Sequence, residues 1–213
     1  MSSKNTQTNA WPTQPMETVV DRIFLGLADA RHRGGEEREV PVLNVRDLRD
    51  GHVPPREQLA TRPVSIGADV ERYAVRADDV VVTCRGTQLR VAQITKATEG
   101  AVISANLIAI RAGASVVHTV LLAFLQSPDG HQALLQRARS STSSISLTPK
   151  SLGGVPLPVP PREVQHQIAE LVGAGEQNYV AAIRAAEQRR SVARAIAFQL
   201  LQGDPRSRSE EHT

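Results

Sequence analysis

Short apolar and alternating runs occupy the first third of the chain. An apolar run at Val19–Leu27 indicates a first element, and Val40–Val45 alternates apolar with polar positions before the turn residues Asp50-Gly51. Alternation with a period of two is typical of a strand that buries one face. These runs predict the first strands of a β-sheet, with Gly34-Gly35 in a charged loop between them.

Buried strands are predicted in the middle of the chain. The run VVVTC begins after Asp78-Asp79, and Arg85-Gly86 is the predicted turn before a second strand, LRVAQI. A further pair of strands is predicted in AVISANLIAIRAG, in which Val102, Ile108 and Ile110 point to buried faces. β-Branched residues dominate both segments, as packed strands prefer.

The hydrophobic period changes from strand to helix after this region. Residues 117–125 have apolar positions at helical spacing, Ser127–Gly130 breaks the pattern, and a second helix is predicted from His131 to Ala138. Ser140–Ser146 is a predicted loop. Val155–Pro161 must be extended, because each proline fixes φ and removes a hydrogen-bond donor.

Residues 162–202 contain no proline and predict the longest regular element of the chain. Their apolar and small residues alternate at spacings of four and three, which is a coiled-coil seam with Arg189 as its one break. About 40 residues at 1.5 Å each give a rod of roughly 60 Å, which needs a second copy or another protein as its partner. The seam consists of Ile168, Val172, Gly175, Tyr179, Ala182, Ala186, Ala193, Ile196 and Leu200.

The fold class predicted from these elements is α/β (α+β): a mixed β-sheet domain followed by one long coiled-coil helix. The predicted segments are a disordered N-terminus at residues 1–15, a globular domain at 16–160, the helix at 161–202 and a disordered tail at 203–213. A length of 213 residues fits one domain and an appendage. Aromatic residues make up only 3%, which disfavours recognition of single strands by base stacking.

Charge is distributed unevenly along the chain, whose formal net charge is +3. Residues 1–110 have 14 basic and 14 acidic side chains, whereas residues 111–202 have nine basic and five acidic ones. Arginine outnumbers lysine strongly, which suits bidentate contacts to phosphate or guanine but is also typical of a G+C-rich genome. The asymmetry is compatible with nucleic-acid binding and does not establish it.

Cysteine and hydropathy patterns exclude several classes of protein. Cys84 is the single cysteine, so an internal disulfide and a zinc site built on several cysteines are excluded. No run of about 18 apolar residues occurs, and the N-terminus has no apolar signal segment. We therefore expect a cytoplasmic protein that does not bind membranes.

An enzyme is the competing interpretation, with Cys84 as nucleophile and His118 or His131 as base. Cys84 ends a β-branched apolar run, where a buried thiol that acts as a small hydrophobe is far commoner. The histidines have no ligand spacing on one helix, so we expect no metal site. The chain has no GxGxxG before a helix and no GxxxxGK[ST], so we expect no nucleotide cofactor.

A set of short motifs then follows one order along the chain. The first motif is a strand followed by a turn at Leu43–Gly51. An acidic residue before an apolar run comes next, followed by an Arg-Gly pair and then by an asparagine before an apolar strand. A Ser/Thr-rich loop, two spaced leucines and a proline segment precede the long helix. The matching positions are Asp79, Arg85-Gly86, Ala105-Asn106-Leu107, Ser140–Ser144, Leu147, Leu152, Pro156–Pro161, Val164-Gln165 and Ile168.

This order resembles the target-recognition domain and following helix of the specificity subunits of type I restriction–modification systems, over roughly Val19 to Leu201. Val164 departs from the pattern, because the family has an acid before the glutamine. The resemblance implies a non-catalytic subunit that binds double-stranded DNA and a DNA methyltransferase (modification) subunit, and in some systems a restriction/translocase subunit. S-adenosylmethionine would bind the methyltransferase subunit and not this chain.

Family members carry two recognition domains and two long helices, whereas this chain has one of each. Two copies packed through the helix seam would restore the two-domain arrangement as a two-fold homodimer. Such a dimer would read an interrupted palindrome. The alternative is a structural or regulatory coiled-coil protein whose globular domain binds protein instead of DNA.

Candidate DNA-facing residues come from polar loops of the predicted domain. For each one a structural role is the alternative: Asp47 and Asp50 lie beside two of the arginines, Arg85-Gly86 is first a turn, and the Ser/Thr loop joins domain to helix. Asn106 is expected on a buried strand, where its side chain would satisfy backbone groups. The candidates are Arg31, Arg33, Arg46, Arg49, His52, Arg85, Gln88, Arg90, Thr142, Ser143 and Ser144.

Overall fold

The computed structural model describes residues 11–28, 37–65, 70–141 and 144–202. Residues 1–169 and residues 170–213 form two separate units. The helices are α1 (His118–Gln126), α2 (Pro128–Arg137), α3 (Pro149–Gly153) and α4 (Arg162–Gln202). The strands are β1 (Thr13–Pro15), β2 (Val20–Leu25), β3 (Glu37–Leu43), β4 (Thr61–Ser65), β5 (Val80–Thr83), β6 (Arg85–Gly86), β7 (Val91–Gln93), β8 (Val102–Ile103), β9 (Leu107–Ala112), β10 (Arg139–Ser141), β11 (Ser144–Ser146) and β12 (Pro156–Pro158).

The centre of the first unit is an antiparallel sheet with strand order β2-β9-β5-β7. Val80 and Val82 pack with Leu121 and Leu125 of α1 on one face of this sheet. Val81 packs on the other face, with the second hydrophobic cluster. A strand that is covered on both faces reads as a continuous apolar run, which explains the sequence VVVT in β5.

A second sheet with strand order β4-β3-β8 makes the fold mixed. Strand β3 pairs antiparallel with β4 and parallel with β8, where Val42 lies opposite Val102. Leu43 and Ile103 are fully buried in the cluster beneath the central sheet. The prediction of a mixed-sheet domain followed by a long helix is confirmed, and Val102, Ile108 and Ile110 are buried as predicted.

Helix α2 begins earlier than the sequence predicted. Ser127 ends α1, as predicted, but it also caps α2, since its hydroxyl accepts from the N–H of Gly130 at 3.1 Å. Pro128 occupies the first helical position, where its missing N–H costs nothing. The Ser-Pro-Asp-Gly sequence is therefore the start of α2, with Asp129 in the first turn as the helix dipole favours.

Three predicted irregular segments contain strands. Thr13–Pro15, assigned to a disordered N-terminus, is β1 and pairs with the proline segment at β12. The Ser/Thr segment, predicted as a loop, forms β10 and β11, and Arg85-Gly86 is not the hairpin turn but β6, paired with β11. The small polar residues of β10 and β11 have low strand propensity. The pairings of β1 with β12 and of β6 with β11 join segments that lie far apart in the chain.

Helix α4 begins at Arg162 and runs for 41 residues, as predicted from the absence of proline and the heptad period. At 1.5 Å per residue it is about 60 Å long. No helix within the described ranges is long and apolar enough to cross a membrane.

Candidate nucleic-acid interface

A tight turn presents two of the candidate residues, Arg49 and His52. The backbone N–H of each donates to the carbonyl of the other, at 3.0 and 2.8 Å. The two central residues, Asp50 and Gly51, have φ of 50° and 83°. Positive φ at both positions defines a type I′ turn, which Asp-Gly adopts most readily. The Asp-Gly sequence therefore favours the backbone geometry that the turn adopts.

The turn and the residues before it are hydrogen-bonded to β7 and to the segment that leads into β7. The N–H of Gln93 donates to the carbonyl of Gly51 at 3.3 Å. The guanidinium of Arg90 donates to the carbonyl of Leu48 at 3.0 Å and, over 3.5 Å, to that of Val45. Arg90 also donates to Oε1 of Gln88 at 3.0 Å.

These segments enclose a surface cleft of about 530 Å³. Three of the predicted residues, Arg49, Gln88 and Arg90, line it together, although about 40 residues separate the first from the other two. Asp50 is the acid in the lining, against two arginines. Arg49 is exposed, and its side chain makes no hydrogen bond or ion pair with the described part of the chain. The cleft is thus open to a ligand that accepts hydrogen bonds.

Arg46 lies in the adjacent short helical turn and is 71% exposed. The carboxylate of Asp47 accepts from the backbone N–H of Asn44 at 2.8 Å, and its contact with Arg46 is 3.8 Å long. Exposed pairs of this length contribute little free energy. The carboxylate caps the turn, and the guanidinium of Arg46 remains accessible.

Arg85 lies on a different element from the cleft-lining residues. Strand β6 pairs with β11, with Arg85 opposite Ser146, so the Ser/Thr segment and Arg85 share one small sheet. The predicted residues Arg31, Arg33, Thr142 and Ser143 lie outside the described residues. Ser144 is the first residue of β11.

Asp79 has a structural role that the sequence did not reveal. Its two carboxylate oxygens accept from Nε and Nη2 of Arg111, at 2.9 and 2.8 Å, while the side chain of Asp79 is 1% exposed. The hydrogen bonds that Arg111 donates to Asp79 raise the pKa of Arg111. The pair joins the start of β5 to β9. Its partner could have been found only by knowing that β5 and β9 are neighbours.

Cys84 is buried, in agreement with the sequence analysis. Its thiol contacts the carbonyl of Ala105 at 3.4 Å, and burial raises the pKa of the thiol from 9.0 to about 11. His118, its suggested base, lies 3.4 Å from a carboxylate oxygen of Asp78. A protonated buried thiol is a poor nucleophile. The prediction that Asn106 lies on a buried strand is wrong, because it is exposed in the turn before β9. Its backbone carbonyl accepts from the N–H of Cys84 at 2.9 Å.

Gln165, in the first turn of α4, is hydrogen-bonded to the segment before α1 and to the end of the proline segment. It is 2% exposed, and its Nε2 donates to the carbonyls of Pro160 and Ser115, at 2.9 and 3.0 Å. Its Oε1 accepts from the N–H of Val117. Both N–H donors and the oxygen of the amide are therefore hydrogen-bonded, which explains a glutamine at this place in the motif.

The coiled-coil seam changes from half-buried to exposed along α4. Ile168 packs against the main hydrophobic cluster of the first unit. In the second unit Tyr179 is 47%, Ile196 52% and Leu200 77% exposed. Ala182, Ala186 and Ala193 are also exposed, whereas Val172 is half-buried.

Comparison with known proteins gives matches among solved structures alone. No family model and no curated protein sequence matches the chain. A chain in a structure of complex assembly and conformational transition of the type I R-M system matches 87% of this chain at 23% identity and a TM-score of 0.56. The HsdS subunit from Thermoanaerobacter tengcongensis matches 82% at 22% identity and a TM-score of 0.54. The type I restriction–modification S subunit from M. genitalium matches 95% at 13% identity and a TM-score of 0.59.

These likenesses establish the fold. The match covers 43%, 39% and 48% of the three structures, so the chain spans less than half the length of each. The domain and the start of α4 therefore have the fold of one half of an S subunit. The resemblance inferred from the motifs is confirmed at the level of the fold.

Proposed function

We propose that the chain recognises a double-stranded DNA sequence as the non-catalytic specificity subunit of a restriction–modification complex. The observation that carries the proposal is the fold shared with S subunits over more than four fifths of the chain. The buried, protonated Cys84 supports a binding function over thiol catalysis. The exposed arginines beside the cleft supply the donors that phosphates and base edges accept.

The proposed DNA-facing surface combines the type I′ turn, the cleft and the β6–β11 sheet. Arg46 and Arg49 can reach phosphates or the O6 and N7 acceptors of guanine, and Gln88 has the amide that pairs with adenine. His52, which is paired with Arg49 in the turn, and Arg85, which lies in the β6–β11 sheet, are part of the same proposed surface. The full set that we propose also includes Arg31, Arg33, Arg90, Thr142, Ser143 and Ser144.

The proposed partner of α4 is a second copy of the chain. Its exposed apolar and small residues repeat at heptad spacing, and a seam of this kind is stable only when covered. Two copies related by a two-fold axis would present two identical reading surfaces. The expected target is therefore an interrupted palindrome.

Within the complex, the proposed partner in catalysis is a DNA methyltransferase (modification) subunit that binds S-adenosylmethionine. A restriction/translocase subunit is the further partner that this class of system would supply. The chain contributes recognition and attachment, so we propose that it holds no cofactor of its own.

The test uses the purified full chain and a pool of 40-bp duplexes with a randomised centre. Bound duplexes are sequenced after selection at about 100 mM salt, and binding of the selected duplex is then measured over a range of salt. We expect one interrupted, two-fold symmetric site and an affinity that falls linearly with salt on logarithmic axes. Arg49→Ala should weaken binding by about 1–3 kcal/mol, whereas the exposed Arg38→Ala in β3 is the matched control.

Two outcomes would contradict the proposal. A bound pool with the same composition as the input would show binding without sequence recognition. An absence of salt-dependent binding, with and without a modification subunit, would favour the alternative of a structural or regulatory protein whose domain binds protein. An asymmetric bipartite site would refute the proposed homodimer but not the proposed recognition of DNA.

A further inference from the structure

We infer that Arg90 is a positioning residue, which fixes the type I′ turn of Arg49 against the Gln88 loop and thereby sets the geometry of the reading cleft. The inference rests on the proposed function and assigns one residue a role within it. Within the proposed DNA-facing set, Arg90 then differs from the other residues, because Arg90 acts through Arg49 and Gln88 and not by its own contact with a base.

The hydrogen bonds of Arg90 carry the first step. One nitrogen, Nη1, donates to the carbonyl of Leu48 at 3.0 Å and points also at that of Val45, at 3.5 Å. The other, Nη2, donates to Oε1 of Gln88 at 3.0 Å. The planar guanidinium therefore bridges two chain segments that are more than 40 residues apart, which a fork of fixed donors does well.

The position of Arg90 in the chain carries the second step. Its own carbonyl accepts from the N–H of Thr83 at 2.9 Å, which ties its backbone to the end of the buried strand β5. Leu48 is 1% exposed and directly precedes Arg49. Arg90 thus connects the buried strand β5 to Leu48, the residue before the turn. Without the side chain of Arg90, the hydrogen bond of 3.3 Å from Gln93 to Gly51 would still join the turn to β7.

The orientation of Gln88 carries the third step. Because Oε1 of Gln88 accepts from Arg90, its Nε2 faces away from that bond as a donor. A free glutamine could present either its oxygen or its nitrogen to a base edge. Arg90 therefore fixes which group Gln88 offers, so it affects recognition at more than one base position.

The first experiment needs no DNA. Amide hydrogen exchange of the free chain is measured for wild type, Arg90→Ala, Arg90→Lys and the control Arg38→Ala. We expect exchange of the Arg49 and His52 N–H groups to accelerate at least about tenfold in both Arg90 variants, with β5 unchanged. Equal exchange in wild type and Arg90→Ala would overturn the positioning role.

The second experiment measures selection from the randomised duplex pool. Arg90→Lys keeps the charge but lacks the fork, so we expect the salt dependence of wild type with about tenfold weaker discrimination against single mismatches at two or more positions. Lost discrimination at one position alone would identify Arg90 as a base reader and overturn the inference. Unchanged discrimination would also overturn it.

A double-variant cycle separates action through Arg49 from an independent contact. If Arg90 positions Arg49, Arg49→Ala with Arg90→Lys loses less affinity than the sum of the two single variants. Additive losses would overturn the inference. A wild-type chain that selects no sequence would instead refute the proposed function, and with it any role of Arg90 in recognition. The hydrogen-exchange experiment tests whether Arg90 positions the turn and does not depend on DNA binding.

Discussion

The side-chain oxygen of Gln165 accepts a hydrogen bond of 2.8 Å from the backbone N–H of Val117, 48 residues earlier in the chain. Val117 is the residue before α1, and Gln165 lies in the first turn of α4. One buried amide therefore satisfies the start of α1 and ties it to the first turn of α4. Buried amides of this kind specify geometry because their alternatives leave polar groups unpaired.

Gln165→Ala should lower the free energy of unfolding by about 3 kcal/mol, since it orphans the N–H of Val117 and two carbonyls. Urea denaturation followed by circular dichroism measures the change. Gln167→Ala on the exposed side of the same helical turn is the control, with an expected change within about 0.5 kcal/mol. Equal effects of the two variants would show that the buried amide has no special part in stability.

Asp79→Ala should destabilise the protein by about 3 kcal/mol, because the largely buried charge of Arg111 loses its ion-pair partner and the N–H of Arg76 loses its acceptor. The double variant Asp79→Leu, Arg111→Met should recover most of this loss, since it removes both charges and fills a similar volume. Thermal and urea unfolding measure both effects. A double variant as unstable as Asp79→Ala would indicate that packing, and not the unpaired charge, is responsible. Glu57→Gln on the surface is the control.

Cys84 should make the stability pH-dependent in alkaline solution. Burial raises its pKa from 9.0 to about 11, so below pH 9 the thiol is protonated in both folded and unfolded chains, and its contribution is fully present. Between pH 9 and 11 the unfolded thiol ionises first, and the free energy of unfolding falls. Cys84→Ala should remove this part of the slope, measured as the difference between the two chains. The same thiol should react slowly with Ellman's reagent at pH 8 until urea unfolds the protein.

The seam of α4 should control association. Sedimentation equilibrium of the wild-type chain should give about twice the chain mass of 23.0 kDa. Ile196→Glu places a charge in the seam and should return the mass to that of one chain. Phe198→Glu is the matched control, because Phe198 is 61% exposed but lies off the heptad positions. A monomeric wild type, or dimers that both variants weaken equally, would contradict the proposed seam.

Local patterns predicted the elements whose burial repeats along the chain. The apolar run at Val80–Val82 predicted a buried strand, and all three side chains are buried, whereas the heptad spacing around Ile196 predicted a long helix. For the same reason Cys84 could be placed in the core from its neighbours. The long helix and the mixed sheet followed from these signals.

Other features depend on pairings between distant segments, which no local window contains. Ser144–Ser146 is a strand because β6 and β10 flank it, and Arg111 is an ion-pair partner because β9 lies beside β5. The start of α2 at Pro128 was misread for a different reason: a Ser-Pro-Asp-Gly sequence suits a turn and a helix start equally well. The cleft could not be predicted for the first of these reasons, because Arg49 and Gln88 are distant in the chain and line the same cleft only in the folded domain.

The pairing of β1 with β12, with Thr13 opposite Pro158, places the entry and exit of the globular domain side by side. A module whose two ends meet can be cut out of one chain and joined into another with short links and little strain on either host. We therefore expect that this domain can be exchanged between chains as one unit. The surface that it carries could then be replaced as a whole while the helix and its anchoring glutamine stay the same.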